Sequence, residues 1–148
     1  MPGGFAVIGD PQWLPGYCLL LTDNPEAKRL SDLSKAERSA YLESMADLGA
    51  AVERACKEAD PAFERVNLEI LGNDDAFLHA HVWPRYRWEP SGLLQRPVWL
   101  YPVEKWRDEA TALGHEHVAL RVAIASYLTC GVVTINPRAA DTTSRASA

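Results

Sequence analysis

The sequence is short of the features that mark several special classes of protein. It has 3 cysteines in 148 residues, Cys18, Cys56 and Cys130. They are odd in number, widely spaced and set in apolar patterns, so they form neither a disulfide framework nor a zinc-ligand spacing. They read as reduced, buried thiols of a cytoplasmic protein. Basic residues are outnumbered, 15 Lys and Arg against 20 Asp and Glu, for a net charge of −5. With no Lys/Arg cluster, the chain lacks what a broad grip on polynucleotide phosphates requires. A single nucleotide stays open, because one phosphate needs only a few local donors. The longest apolar run, Tyr17 to Leu21, is too short to span a bilayer. Met1 to Asp10 has neither the basic region nor the apolar stretch of a signal peptide. No internal repeat is visible.

What is present suits one ordinary domain: 47% apolar and 24% charged residues. A single domain is expected over residues 1–136, with its core at about 5–101 and a C-terminal helix at about 104–128. Residues 137–148 are small and polar, the composition of a disordered tail.

Phe5 to Ile8 is a short apolar run ending at Gly9-Asp10-Pro11, which is turn chemistry. Tyr17 to Thr22 lies between Pro15-Gly16 and Asp23-Asn24-Pro25 and reads as its hairpin partner. Ser34 and Glu37 form a capping box at the start of a long helix. Tyr41, Met45, Leu48, Val52, Ala55 and Cys56 recur at its three-four spacing, and the helix stops before Pro61. Val66 to Leu71 alternates, with Asn67 and Glu69 on the wetter face. After the turn at Gly72 to Asp75, Phe77 to Pro84 is a strand with two faces. Leu78, Ala80 and Val82 form one, and Phe77, His79, His81 and Trp83 the other. Pro97 to Tyr101 is expected as a short edge strand. Glu104 to Leu128 is expected as a second long helix, with Trp106, Ala110, Leu113, His117, Leu120, Ile124 and Leu128 at helical spacing.

The segment from Gly72 to Arg85 holds two of the four histidines, His79 and His81. On a strand, residues two apart point the same way, about 7 Å apart. Three chemistries fit such a pair. Buried imidazoles can be purely structural. Neutral imidazoles can ligate a metal, with Asp74, Asp75 or Glu69 as a third ligand. Or His79 can attack phosphorus, with His81, Asn73 and Arg85 as donors to the phosphate oxygens. Spacing alone leaves all three open.

The surrounding residues carry a resemblance. Phe77-Leu78-His79-Ala80-His81-Val82-Trp83 followed by Pro84-Arg85 resembles the histidine triad motif, in which three histidines alternate with apolar residues. Leu71-Gly72-Asn73 resembles the Leu-Gly-Asn that leads into the triad in many bacterial members. Pro15-Gly16-Tyr17-Cys18-Leu19-Leu20-Leu21 resembles the family's Pro-Gly-His strand, and Leu30-Ser31-Asp32-Leu33 its Leu-x-Asp-Leu before the long helix. Pro97-Val98-Trp99 resembles a Pro-Ile-Trp found after the triad. The match runs in order from about Phe5 to Trp99.

The resemblance implies an α+β fold of the histidine triad type. An antiparallel sheet of about five strands would carry one long helix, with the C-terminal helix as an addition. It implies a bacterial nucleotide hydrolase or nucleotidyl transferase close to the diadenosine tetraphosphate hydrolases. His79 would be the nucleophile at the α-phosphate, with His81 and Asn73 its catalytic partners (Asn73 alternatively only capping the Gly72 turn), Asp10, Arg85 and Phe77 on the substrate, and no cofactor or metal. It also implies a homodimer through the long helix and sheet edge. Asp10 would meet the ribose hydroxyls, or else only stabilise its turn. Arg85 would contact phosphate, or else be a solvated charge. Trp83, Trp88 and Trp99 would border the base or belong to the core, and His115 and His117 read as structural or solvated.

Two positions depart from the family pattern. Phe77 replaces the first histidine and cannot join the side-chain network behind the nucleophile. The tautomer of His79 must then be set by another group, such as a backbone carbonyl. Tyr17 stands where the family has histidine after Pro-Gly. The alternative function is a nucleotide-binding module whose triad has degenerated, and a metal-assisted hydrolase is the third.

Overall fold

The computed structural model describes residues 1–73 and 75–130. Its centre is a four-stranded antiparallel sheet: β1 (Gly4–Ile8), β2 (Cys18–Thr22), β3 (Phe63–Glu69) and β4 (His79–Tyr86), in the order β1-β2-β4-β3. The long helix α1 (Lys35–Ala59) joins β2 to β3. Four strands and a packed helix make this the expected α+β fold. The expected tail beyond residue 136 lies outside the described residues.

The first hairpin pairs Gly4 with Thr22 and Ile8 with Cys18. Its loop is organised by the buried side chain of Gln12. Gln12 Nε2 donates to the carbonyls of Gly9 at 2.6 Å and Tyr17 at 3.0 Å, and its Oε1 accepts from Gly16 N at 2.9 Å. One amide side chain thus serves three backbone groups, two of which, the Gly9 carbonyl and Gly16 N–H, have no other partner among the described residues. Gly16 has φ of +95°, and a Cβ there would lie 2.4 Å from Cys56 Sγ, so glycine is required twice over.

α1 starts as its capping box dictates. Glu37 N donates to Ser34 Oγ at 3.3 Å, and Ser34 N donates to Glu37 Oε2 at 2.8 Å. Tyr41, Leu48, Val52, Ala55 and Cys56 are buried, which is the face the spacing marked. They pack on Leu20, Leu78, Ala80 and Val82, all essentially inaccessible. Each buried leucine or valine among them contributes about 1.5–3 kcal/mol by leaving water. Tyr41 also donates its hydroxyl to the Leu20 carbonyl at 3.1 Å.

Past β4 the chain departs from expectation. Pro97 to Tyr101 is not a fifth strand; Val98–Leu100 is a 3-10 turn. The cause is Arg85, whose side chain is 1% exposed. Its guanidinium takes both oxygens of Glu89 at 3.1 Å, and donates to the carbonyls of Leu93, Leu94 and Arg96 and to the Tyr101 hydroxyl. Residues 89–101, including the one-turn helix α2 (Ser91–Leu94), wrap around that cation instead of running along a sheet edge.

The second helix is also shorter than expected. Residues Val103–Trp106, Glu109–Thr111 and His115–His117 are separate 3-10 turns, and the helix α3 spans only Val118–Cys130. Asp108 Oδ1 accepts from Ala110 N, Thr111 O accepts from Gln12 N at 2.7 Å, and Ala112 bridges to Pro11. Those backbone groups are spent on tertiary contacts, and Gly114 is extended. α3 itself packs beside α1, where Arg54 lies 4.1 Å over the Tyr127 ring and the Tyr127 hydroxyl meets Glu58.

Glu89→Ala should therefore leave a buried guanidinium without its counter-charge and lower stability by roughly 3–5 kcal/mol. Urea unfolding checks this. A loss below about 1 kcal/mol, the scale of an exposed pair, would show that the ion pair does not organise residues 89–101.

Candidate active site

The sheet face opposite α1 is where the two histidines emerge. Strand alternation turns Leu78, Ala80 and Val82 toward α1, so His79, His81 and Trp83 must point the other way. Register adds their neighbours: Leu21 lies opposite His79, and His81 sits between Leu19 of β2 and Glu69 of β3. Phe5 and Val7 of β1 extend the same face and are 62% and 38% exposed. The far end of this face is closed. Trp83 is buried under Tyr17, stacked at 3.7 Å, and under the edge of Trp106 at 5.5 Å. The open end therefore offers two imidazoles beside an apolar strip.

The rings of His79 and His81 are 4.9 Å apart and nearly perpendicular. His79 Nδ1 lies 2.7 Å from the Phe77 carbonyl. A carbonyl only accepts, so this nitrogen carries a proton, and in the neutral ring Nε2 is the nitrogen with the lone pair. Phe77, half-buried, thus serves through its backbone. His81 Nδ1 lies 2.8 Å from the Tyr17 hydroxyl. Burial, and then the neighbouring His79, push His81 down from 6.5 to about 4, so it is neutral at ordinary pH. Burial, with a smaller push from Cys18, raises the Tyr17 phenol, which stays protonated. Glu69 accepts from the Trp83 indole at 3.1 Å, and burial raises its carboxyl.

The other residues singled out in the sequence fall in different places. Asn73 is exposed in the loop before β4, and among the described residues no hydrogen bond ties it to either histidine. Asp10 is exposed just past β1 and lines a small cleft with Pro11, Trp106, Asp108 and Ala112. Arg85 is not brought to the site: it is 1% exposed and each of its three guanidinium nitrogens is bonded within the core, so it is neither the phosphate contact nor the solvated charge expected of it. Trp88 and Trp99 are about half exposed, and Trp88 stacks on Tyr86. His117 Nδ1 accepts from Gly114 N at 3.0 Å, a structural role. Cys18 and Cys56 are free and buried. Among the described residues no three His, Cys, Asp or Glu side chains are grouped to hold a metal ion, and no helix is long and apolar enough to cross a membrane.

Two residues beside the histidines take roles that the sequence does not assign them: Tyr17, and Glu69, which it offers only as a third metal ligand. Tyr17 was visible only as a departure from Pro-Gly-His, and its contact with His81 spans 64 positions. Glu69 stood on the right face of its strand, but its partner Trp83 is set by the β3–β4 register.

No family model and no curated protein matches the sequence. Solved structures do match. A histidine triad protein from Sinorhizobium meliloti superposes with a TM-score of 0.57 at 18% identity, over 83% of this chain and 88% of that one. A histidine triad protein from Bradyrhizobium japonicum gives 0.54 at 22%, over 84% and 86%. One from Marinobacter aquaeolei gives 0.53 at 17%, over 75% of each. At such identities the likeness concerns architecture, and the architecture of this chain is the histidine triad fold.

Proposed function

We propose that this protein is a nucleotide hydrolase or nucleotidyl transferase of the histidine triad type, acting at the α-phosphate through His79. The observation that carries this reading is the bond from His79 Nδ1 to the Phe77 carbonyl. It holds the imidazole with its Nε2 lone pair available on the open face. The missing first histidine is thereby no bar to nucleophilic chemistry. The apolar strip beside His79, with Phe5 and Val7 exposed and Leu19 and Leu21 half-buried, suits a nucleoside base. The substrates that fit are dinucleoside polyphosphates or nucleoside phosphoramidates.

In the proposed reaction His79 Nε2 attacks the α-phosphorus. A P–N bond forms and the bond to the leaving group breaks, and that group departs with the electron pair. The ring becomes a cation still donating through Nδ1 to the Phe77 carbonyl, which strengthens that bond as charge develops. His81 stabilises the non-bridging oxygens, and Asn73 reaches them from its loop. Water then attacks phosphorus. The P–N electron pair returns to Nε2, the nucleoside monophosphate leaves and water's proton passes to solvent. Asp10 is assigned to the ribose. The protein is proposed to work as a cytoplasmic homodimer.

Intact-mass measurement after mixing with an adenosine phosphoramidate, with AMP release in parallel, tests this. A transient nucleotidyl adduct should form and be absent in His79→Ala, whose kcat/KM should fall by roughly 10³-fold or more, as for loss of a nucleophile. His81→Ala should fall by about 10²–10³-fold, as for removal of one oxyanion donor. No adduct and no AMP, with tight nucleotide binding by calorimetry, would make the protein a binding module instead.

Acid should act on the same site with a defined sign. Between pH 6.5 and about 4 the unfolded chain takes up a proton at His81 that the folded chain refuses, so stability falls as pH falls through that window. Urea midpoints across this range should drop in the wild type and drop less in His81→Gln. Equal slopes would show that His81 is not protected from protonation.

A further inference from the structure

We propose that Tyr17 is a positioning residue. Its phenolic O–H donates to His81 Nδ1, and this fixes His81 as the tautomer with its proton on Nε2, facing the open side of the sheet. The proposal rests on the reading of the open face as a phosphate site, and it gives His81 a definite role there. The two imidazoles are then held in opposite tautomers by two unlike partners. The Phe77 carbonyl accepts the hydrogen bond from His79 Nδ1–H and leaves the Nε2 lone pair of the neutral ring outward. The Tyr17 hydroxyl fills the Nδ1 lone pair of His81 and leaves an N–H outward.

The direction of the Tyr17–His81 bond follows from what surrounds the hydroxyl. Tyr17 is 4% exposed, and among the described residues its oxygen has no hydrogen-bond partner other than His81. In the reverse arrangement His81 would donate to Tyr17, and the phenolic proton would be buried with no acceptor, an unfavourable state. Donation from Tyr17 satisfies both groups. Both are neutral, so neither charge nor proton transfer disturbs the arrangement. The other groups around His81 are His79, Glu69 opposite it across the ladder, and Trp83, and Glu69 is already engaged by the Trp83 indole.

The tyrosine is fixed from every side. Its ring lies flat on Trp83, 3.7 Å away and 5° from parallel. A Cβ at Gly9 would fall 2.2 Å from that ring, so only glycine lets the two segments close. Its N–H donates to the Leu14 carbonyl, and its own carbonyl accepts from Gly9 N and Gln12 Nε2. A hydroxyl held this firmly can select one tautomer of a neighbouring ring. The selection matters because phosphate oxygens only accept. An N–H at His81 Nε2 attracts them, and a lone pair there would repel them while His79 attacks phosphorus.

The test uses the full chain with 15N-labelled histidine, as wild type and as Tyr17→Phe, which keeps the ring stack and removes only the hydroxyl. Long-range nitrogen–proton spectra of the wild type should show His81 protonated at Nε2 and His79 at Nδ1. In Tyr17→Phe the neutral imidazole loses the bond that favours it, so the His81 titration midpoint should rise by about one pH unit. Nucleotidylation of His79 by adenosine phosphoramidate should slow by about 10-fold or more, while AMP affinity changes by less than about 3-fold. Wild-type His81 protonated at Nδ1 would overturn the proposal without recourse to any variant. So would a Tyr17→Phe protein with unchanged titration and unchanged nucleotidylation rate. If neither protein forms an adduct while the tautomer and titration come out as expected, the catalytic reading fails and the tautomer lock stands.

Discussion

Burial of Leu78, Ala80 and Val82 against α1 governs where everything else goes. A strand has two faces and no third option, so committing these three side chains to the helix commits His79, His81 and Trp83 to the opposite side. A slip of one residue would put two imidazoles into an apolar core and three aliphatic side chains into water. The site is therefore held in place by the same hydrophobic burial that holds the sheet to α1. Pairing with β2 and β3 then supplies the neighbours of each histidine at fixed positions, with Leu21 opposite one and Glu69 opposite the other.

The parts of this structure legible in the sequence are those whose causes are local. Ser34 and Glu37 are three residues apart and mark the start of α1 unaided. The two faces of β4 follow from alternation, and the first hairpin from its flanking breakers. The expected edge strand at Pro97 to Tyr101 and the expected helical start at Glu104 fail because their causes are distant. Helical spacing around Trp106 was real, but Trp106 turns instead under the sheet against Trp13 and Trp83. Thr111 and Ala112 give their backbone to the Gln12 and Pro11 stretch, about a hundred positions away. Arg85 shows the limit most plainly. A single arginine after a strand reads as a surface charge or an anion contact. Only the folded chain brings Glu89, three carbonyls and Tyr101 to one guanidinium.

The candidate site divides in the same way. His79 and His81 were found by their spacing and by the motif around them. Asn73 and Asp10 stand in loops, where backbone pattern does not settle what a side chain meets. Tyr17 was visible only as an anomaly, since nothing in Pro-Gly-Tyr discloses a partner 64 residues later.

Phe77 stands where the motif this segment resembles has its first histidine, which looks at first like the loss of an orienting group. Its meaning changes once backbone and side chain are separated. The carbonyl at position 77 does not depend on which residue is there, and it reaches His79 Nδ1 because the chain bends into β4 at that point. What phenylalanine leaves out is a titratable side chain behind His79. On the other side of the pair, a tyrosine stacked on Trp83 supplies a neutral hydroxyl to His81. The orienting groups that result are a carbonyl and a phenol, and neither changes charge near neutral pH. The orientation of both rings therefore depends on geometry rather than on a chain of shared protons. That places the demand on the walls: the Tyr17–Trp83 stack, the Gly9 contact that lets it close and the Trp106 edge that caps it. Loosening any of these would disturb the imidazoles without touching them.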